Sequence, residues 1–276
     1  MKLLNFLAIC SLPATALLMA GCDEIAPDDR YVKMDYFEPA RNVLIEDFTG
    51  QRCVNCPTVH DDIDKLHELY GDAVIPVAIH GGAPSFEYKT NNTRYIGLAD
   101  SEGAYYGDKL TKKDERPVIV IDRGSTEHSP TEGEWLSAVR TALSRLSDYE
   151  ISIDARMSDD DSTIEITTEV ANNGALASAD ARLQVWILED NIVAIQSMPD
   201  GSVNNEYVHN HVFRAAANGL DGEEISIAAD SRQSFTCSTP RVAGERENWN
   251  PDNLSVVAFV YTPSGVQNVA KVKVVN

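Results

Sequence analysis

The sequence predicts an α/β domain followed by an all-β sandwich, carried behind a lipoprotein signal peptide. Three observations lead there. Between residues 39 and 147, short apolar runs alternate with segments whose apolar residues recur at helical spacing. From 148 to 276 the apolar period changes to two, with turn residues between the runs. Ahead of both, an N-terminal apolar stretch ends in Met19-Ala20-Gly21-Cys22.

Residues 1–21 carry one charge, Lys2, and an apolar core too short to span a bilayer, so they read as a signal peptide. A cysteine directly after Ala-Gly is what lipoprotein processing requires, which makes Cys22 the expected lipidation (palmitate) site and membrane contact. Acyl chains on Cys22 give stable anchoring, at about 0.8 kcal/mol per buried methylene. Loss of the leader removes Lys2, so 22 of the 23 basic residues face all 43 acidic ones. That balance opposes binding of nucleic acid or anionic lipid surfaces and suits a solvated envelope protein. Residues 22–38 are acidic and aperiodic and read as a tether.

In the segment 39–147, Val43-Leu44-Ile45 predicts a strand. Val59, Ile63, Leu66 and Tyr70 predict a helix over Thr58 to Tyr70, stopped by Gly71. Val74 to Ile79 predicts a strand whose Pro76 suggests an edge or an irregularity. Residues 81–112 read as a Gly-rich helical insertion with helices at Thr93 to Leu98 and Ala104 to Leu110. Pro117 opens the strand Val118 to Ile121, and Glu134 to Leu146 is an amphipathic helix. Over 148–276 about eight short strands, among them Ile151 to Ala155, Leu183 to Leu188, Tyr207 to Phe213 and Leu254 to Tyr261, predict an immunoglobulin-like sandwich.

The chemistry lies in Asp47-Phe48-Thr49-Gly50-Gln51-Arg52-Cys53-Val54-Asn55-Cys56-Pro57. A Cys-x-x-Cys at a helix start puts its first thiol near unsatisfied N–H groups and the positive end of the helix dipole, which favours the thiolate. The second thiol can then resolve a mixed disulfide. Arg52 adds positive charge beside Cys53. Pro57 suits a first helical turn. Asp47, on the entering strand, can pass a proton to or from Cys56 if it is buried there. The alternative is a structural disulfide, which an oxidising envelope also favours. No second cysteine pair supplies a zinc site.

These residues resemble the thioredoxin superfamily. The Asp-Phe pair, the dithiol between strand and helix, and a proline opening a later strand all match it. The resemblance implies a thioredoxin-like α/β domain with Pro117 in the cis form facing the dithiol. Arg52, Val54-Asn55 and Arg116 depart from the superfamily pattern. A second resemblance covers nearly the whole chain. The lipobox, IEDFTGQRCVNCP, RPVIVIDR, LEDNIVAIQ and YVHNHVFRAAANG are similar to the Omp-twenty-eight-related outer membrane lipoprotein family. It implies outer-membrane localisation, a thioredoxin-like domain and a C-terminal β-sandwich, without naming an activity.

Other residues carry weaker signals. His209 and His211, two apart, share a face if they lie on one strand. Cys237 reads as a buried free thiol. Asn91-Asn92-Thr93 and Asp159-Asp160-Asp161 read as loops. No cofactor or metal is expected beyond a redox-active Cys53–Cys56 pair. Two functions fit: an envelope thiol–disulfide oxidoreductase acting on an envelope or extracellular protein, and a non-catalytic adhesin or scaffold lipoprotein whose dithiol is a staple.

Overall fold

β1 (Val43–Thr49) is the strand on which the site is built, and all seven of its residues are buried. Such a strand needs a neighbour on each edge and cover on each face. In the computed structural model, which describes residues 38–89, 96–111, 115–124, 127–128, 134–177, 179–242 and 248–276, both edges are filled. β2 (Val74–His80) lies parallel on one side, with Asp47 opposite Ala78. β3 (Val118–Ile121) lies antiparallel on the other, with Phe48 opposite Val118. The pair β4 (Glu127–His128) continues beyond β3. The expected leader, Cys22 and the expected tether as far as residue 37 fall outside the described residues, as do Asn91, Asn92 and Thr93.

Three helices accompany these strands. α1 (Cys56–Tyr70) buries Val59, Ile63 and Leu66 along one stripe and ends at Gly71, whose φ of 56° suits a residue without a Cβ. α2 (Ser101–Leu110) is capped by Asp100, whose carboxylate accepts from Gly103 N–H at 2.6 Å. α3 (Glu134–Leu143) buries Val139 and Leu143. It stops short of the predicted end because Leu146, 90% exposed, has nothing to pack on. The helix expected at Thr93 to Leu98 is not continued by its described part, since Ile96 to Leu98 are non-helical.

The remaining strands are β5 (Tyr149–Met157), β6 (Thr163–Asn172), β7 (Ala181–Glu189), β8 (Ile192–Ser197), β9 (Val203–His209), β10 (Val212–Ala216), β11 (Glu223–Ile225), β12 (Ser231–Pro240), β13 (Leu254–Thr262) and β14 (Gly265–Lys273). β12 was not anticipated, because its alternating residues are mostly small and polar.

The chain does not build the expected thioredoxin-like α/β domain followed by a self-contained immunoglobulin-like sandwich. It is mostly strand, with three α-helices among the described residues. One nine-stranded mixed sheet runs β14-β13-β7-β10-β2-β1-β3-β4, with β11 beside β7, and so takes strands from both halves of the sequence. The physical reason is the second edge of β2. Val-Ile-Pro-Val-Ala-Ile-His is buried throughout, so that edge must be closed, and β10 closes it with Val212 opposite Ala78. Periodicity reports which residues are buried but not which distant strand covers an edge. Pro76 consequently sits in an interior strand. It is tolerated because β10 pairs with β2 only at Ala78 and leaves the proline beyond the ladder.

β7 and β13 are apolar on both faces because two cores meet there. Val185, Ile187, Val256 and Ala258 face the core shared with the three-stranded sheet β12-β6-β5. Trp186, Leu188, Val257 and Phe259 face the other, with Leu44 and Phe48 of β1 and Tyr106 of α2. β8 and β9 stand apart as a two-stranded sheet of their own.

Candidate functional site

Gly50 to Asn55 link the end of β1 to α1. Cys53 and Cys56 are joined as a disulfide, and both are buried, with relative exposures of 1% and 0%. Cys56 is the first residue of α1. Asn55 offers no side-chain cap and the first turn holds no acidic residue, so nothing on the helix offsets the positive end of its dipole beside the pair. Arg52 is exposed. Its N–H donates to Phe86 O at 2.7 Å and its guanidinium lies 5.7 Å from the Tyr88 ring centre. The Arg116–Pro117 peptide is cis. Since Val118 is opposite Phe48, Pro117 lies at the same end of β1 as the dithiol loop. Arg116 is buried and donates to Gly81 O, tying the start of β3 to the turn after β2.

Asp47 is 1% exposed, and neither of its carboxylate oxygens receives a hydrogen bond. His60 Nε2 lies 3.2 Å from Asp47 Oδ2 but off the angle a hydrogen bond requires. His60 Nε2 instead pairs with Thr49 Oγ1 at 3.0 Å, and its Nδ1 lies 2.9 Å from the Tyr207 hydroxyl. Burial, with Asp61, Asp64 and Asp47 nearby, pushes the Tyr207 phenol up to about 12, so it stays protonated and can donate to Nδ1. His60 is four residues after Cys56 and shares its face of α1.

Asp47, His60 and Tyr207 line a cleft of about 60 Å³ together with Pro76, His80 and His209. His80 and His209 are buried with ring centres 5.8 Å apart, and the Nε2 of each is unpaired. Burial, then the neighbouring His80 and His60, lowers the His209 pKa to about 2 and keeps the ring neutral. His209 and His211 do not share a strand face as expected. His209 ends β9, whereas His211 stands in the following turn with φ 57°, although both border the cleft. Among the described residues no three His, Cys, Asp or Glu side chains are placed to hold a metal ion. Cys237 is a half-buried free thiol on β12, raised to about 11 by burial.

Sequence reasoning missed His60, His80 and Tyr207. The spacing of His60 from Cys56 was the one available signal. The others arrive from separate strands.

The outer membrane protein Omp28 family matches residues 108–276, more than half of the sequence. The chain belongs to the Omp28 family. That membership places it at the outer membrane. The matched segment includes Pro117, Gln196 and Tyr207 but begins after the Cys53–Cys56 pair. No curated protein matches the sequence. Among solved structures, HBP35 of Porphyromonas gingivalis is similar with a TM-score of 0.64 at 16% identity, over 86% of this chain and 76% of its own. Protein AGR_C_4864 from Agrobacterium tumefaciens has a TM-score of 0.50 at 13% identity, over 86% of this chain and 96% of its own. A domain of the outer membrane lipoprotein Omp28 from Porphyromonas gingivalis is 22% identical, over 48% of this chain and 91% of its own, with a TM-score of 0.35. At these identities the first two show a shared fold.

Proposed function

We propose that this Omp28-family protein is anchored at the outer membrane by lipid on Cys22 and carries out thiol–disulfide exchange in the cell envelope. The observation that carries the reading is Asp47, a buried carboxyl with no hydrogen bond, beside His60 one helical turn from Cys56. A structural staple has no use for such a group, because an unsatisfied buried polar atom costs about 1–3 kcal/mol. An exchange site does have a use for it. In the forward direction the Cys53 thiolate attacks a partner disulfide, forms a mixed disulfide and releases one partner thiolate. Cys56 then gives its proton to Asp47, attacks the Cys53 sulfur and expels the second partner thiolate. The partner gains two electrons and Cys53–Cys56 closes. The redox group is the disulfide itself, and the substrate class is an envelope or extracellular protein.

Full-length protein in detergent should reduce a protein disulfide catalytically when supplied with dithiothreitol, and Cys53→Ser should abolish this. Absence of turnover by the wild type sinks the reading. Palmitate labelling lost on Cys22→Ala would establish the anchor.

A second reading, a non-catalytic adhesin or scaffold with a structural disulfide, is favoured by one observation: both sulfurs are buried. It predicts binding to a partner that persists after Cys53 and Cys56 are both replaced by Ser.

A further inference from the structure

Buried Cys53 sits in a loop tied to a neighbouring hairpin. The β8–β9 hairpin lies against the dithiol loop, and its ladder shifts register between Ala194 and Gln196. There the buried Gln196 side chain reaches the loop: Nε2 donates to Cys53 O at 3.0 Å, Gly50 O at 3.3 Å and Ser197 O at 3.1 Å. The backbone adds a second tie, from Ser197 N–H to Gln51 O at 2.8 Å, and Gln51 Nε2 returns one to Ile195 O at 3.2 Å. A further tie runs from Arg52 N–H to Phe86 O at 2.7 Å. The same hairpin is fastened to α1 by the Tyr207 hydroxyl on His60 at 2.9 Å, so it borders the Asp47 cleft too.

We propose that the β8–β9 hairpin is a cover over the dithiol and that Gln196 is its latch, a positioning residue that holds Cys53 out of reach until the hairpin lifts. The latch is built to release. Two amide protons are shared among three carbonyl oxygens, and Gln196 Oε1 is buried without a partner, so the closed position is held weakly for its number of contacts. On the hairpin's outer side Val193, Val203 and Val208 are exposed. Lifting it exposes Cys53 and opens the cleft to Asp47 in one movement. The cover gives the exchange reading its regulation and rests on that reading for its consequence.

The test is the rate at which dithiothreitol reduces Cys53–Cys56 in the full-length chain in detergent, followed by maleimide quenching and mass. A reductant thiolate attacks Cys53 Sγ, Cys56 leaves as thiolate and takes a proton, and ring closure of the oxidised reductant frees Cys53. With a cover, the wild-type rate levels off as dithiothreitol rises, because opening limits it. Gln196→Ala and Gln196→Glu should then reduce at least 10-fold faster, and Tyr207→Phe 2- to 5-fold faster. Tyr207→Phe carries the test if the Gln196 variants fail to fold. A wild-type rate linear in dithiothreitol and matched within 2-fold by the variants overturns the cover. Wild-type turnover of protein disulfides alongside unchanged variant rates refutes the cover alone. Faster variants without any turnover refute exchange and leave the cover standing.

Discussion

Glu46 and Asp47 are consecutive residues of β1, both buried, on opposite faces of one sheet, and they are treated in opposite ways. Glu46 faces the aromatic side. Its Oε1 lies 3.1 Å from Arg123 Nε, and the guanidinium stacks 4.7 Å from the Phe259 ring centre, 4.6 Å from Tyr261 and 5.2 Å from Trp186. Burial raises the Glu46 pKa against the pull of Arg123. Asp47 faces α1 and the histidines, and no donor bonds to it. The difference separates structure from chemistry. Where a buried charge exists for stability, the fold brings it a cation and a dry aromatic wall. Asp47 has neither, and in the proposed exchange it is the group that moves a proton, unpaired beside a cleft.

Each face of β1 should respond to substitution in its own way. Trp186→Ala removes a fully buried side chain that contacts Tyr106, Phe213 and Phe259, and should cost about 3–5 kcal/mol in a denaturant titration. Thiol exchange by the folded fraction should be unchanged. Arg123→Met leaves Glu46 buried without its partner and should cost a comparable 3–5 kcal/mol or somewhat less, again with exchange intact. Asp47→Asn should show the opposite pattern: stability held within about 1 kcal/mol and exchange slowed about 100-fold. Equal losses of stability on the two faces would erase the distinction.

The histidine side of the cleft predicts a gradual pH dependence. His209 is held near 2 in the fold and has an ordinary pKa of about 6.5 when unfolded, so below about pH 6.5 the unfolded chain binds a proton that the native chain does not. Stability from this residue is therefore complete above that pH and falls by at most about 1.4 kcal/mol per unit as the pH drops. His209→Gln should flatten that share of a stability–pH profile, and an unchanged slope would show that His209 is not buried neutral.

Much of this was legible beforehand, for identifiable reasons. α1, β1 and the strand after Pro117 follow from local spacing and from breakers such as Gly71. Burial of Asp47 follows from the apolar run around it. The single sheet joining both halves was not legible, because the closure of β2 by Val212 is a long-range pairing that leaves no local signature. Gln196 was hidden for a similar reason. A register shift in β8 aims it at Cys53, and a sequence window shows only an apolar run ending in an amide. The histidine cleft gathers α1, β2 and β9, elements whose adjacency only the fold supplies.

In the proposed exchange Cys53 is the attacking sulfur and Cys56 its resolver, and trapping tells the two apart. Full-length Cys56→Ser, incubated with a disulfide-bonded peptide, should accumulate a covalent mixed disulfide located at Cys53 by mass spectrometry. The parallel Cys53→Ser protein should accumulate none there. An absence of adduct on Cys53, or labelling confined to Cys237, would contradict the account.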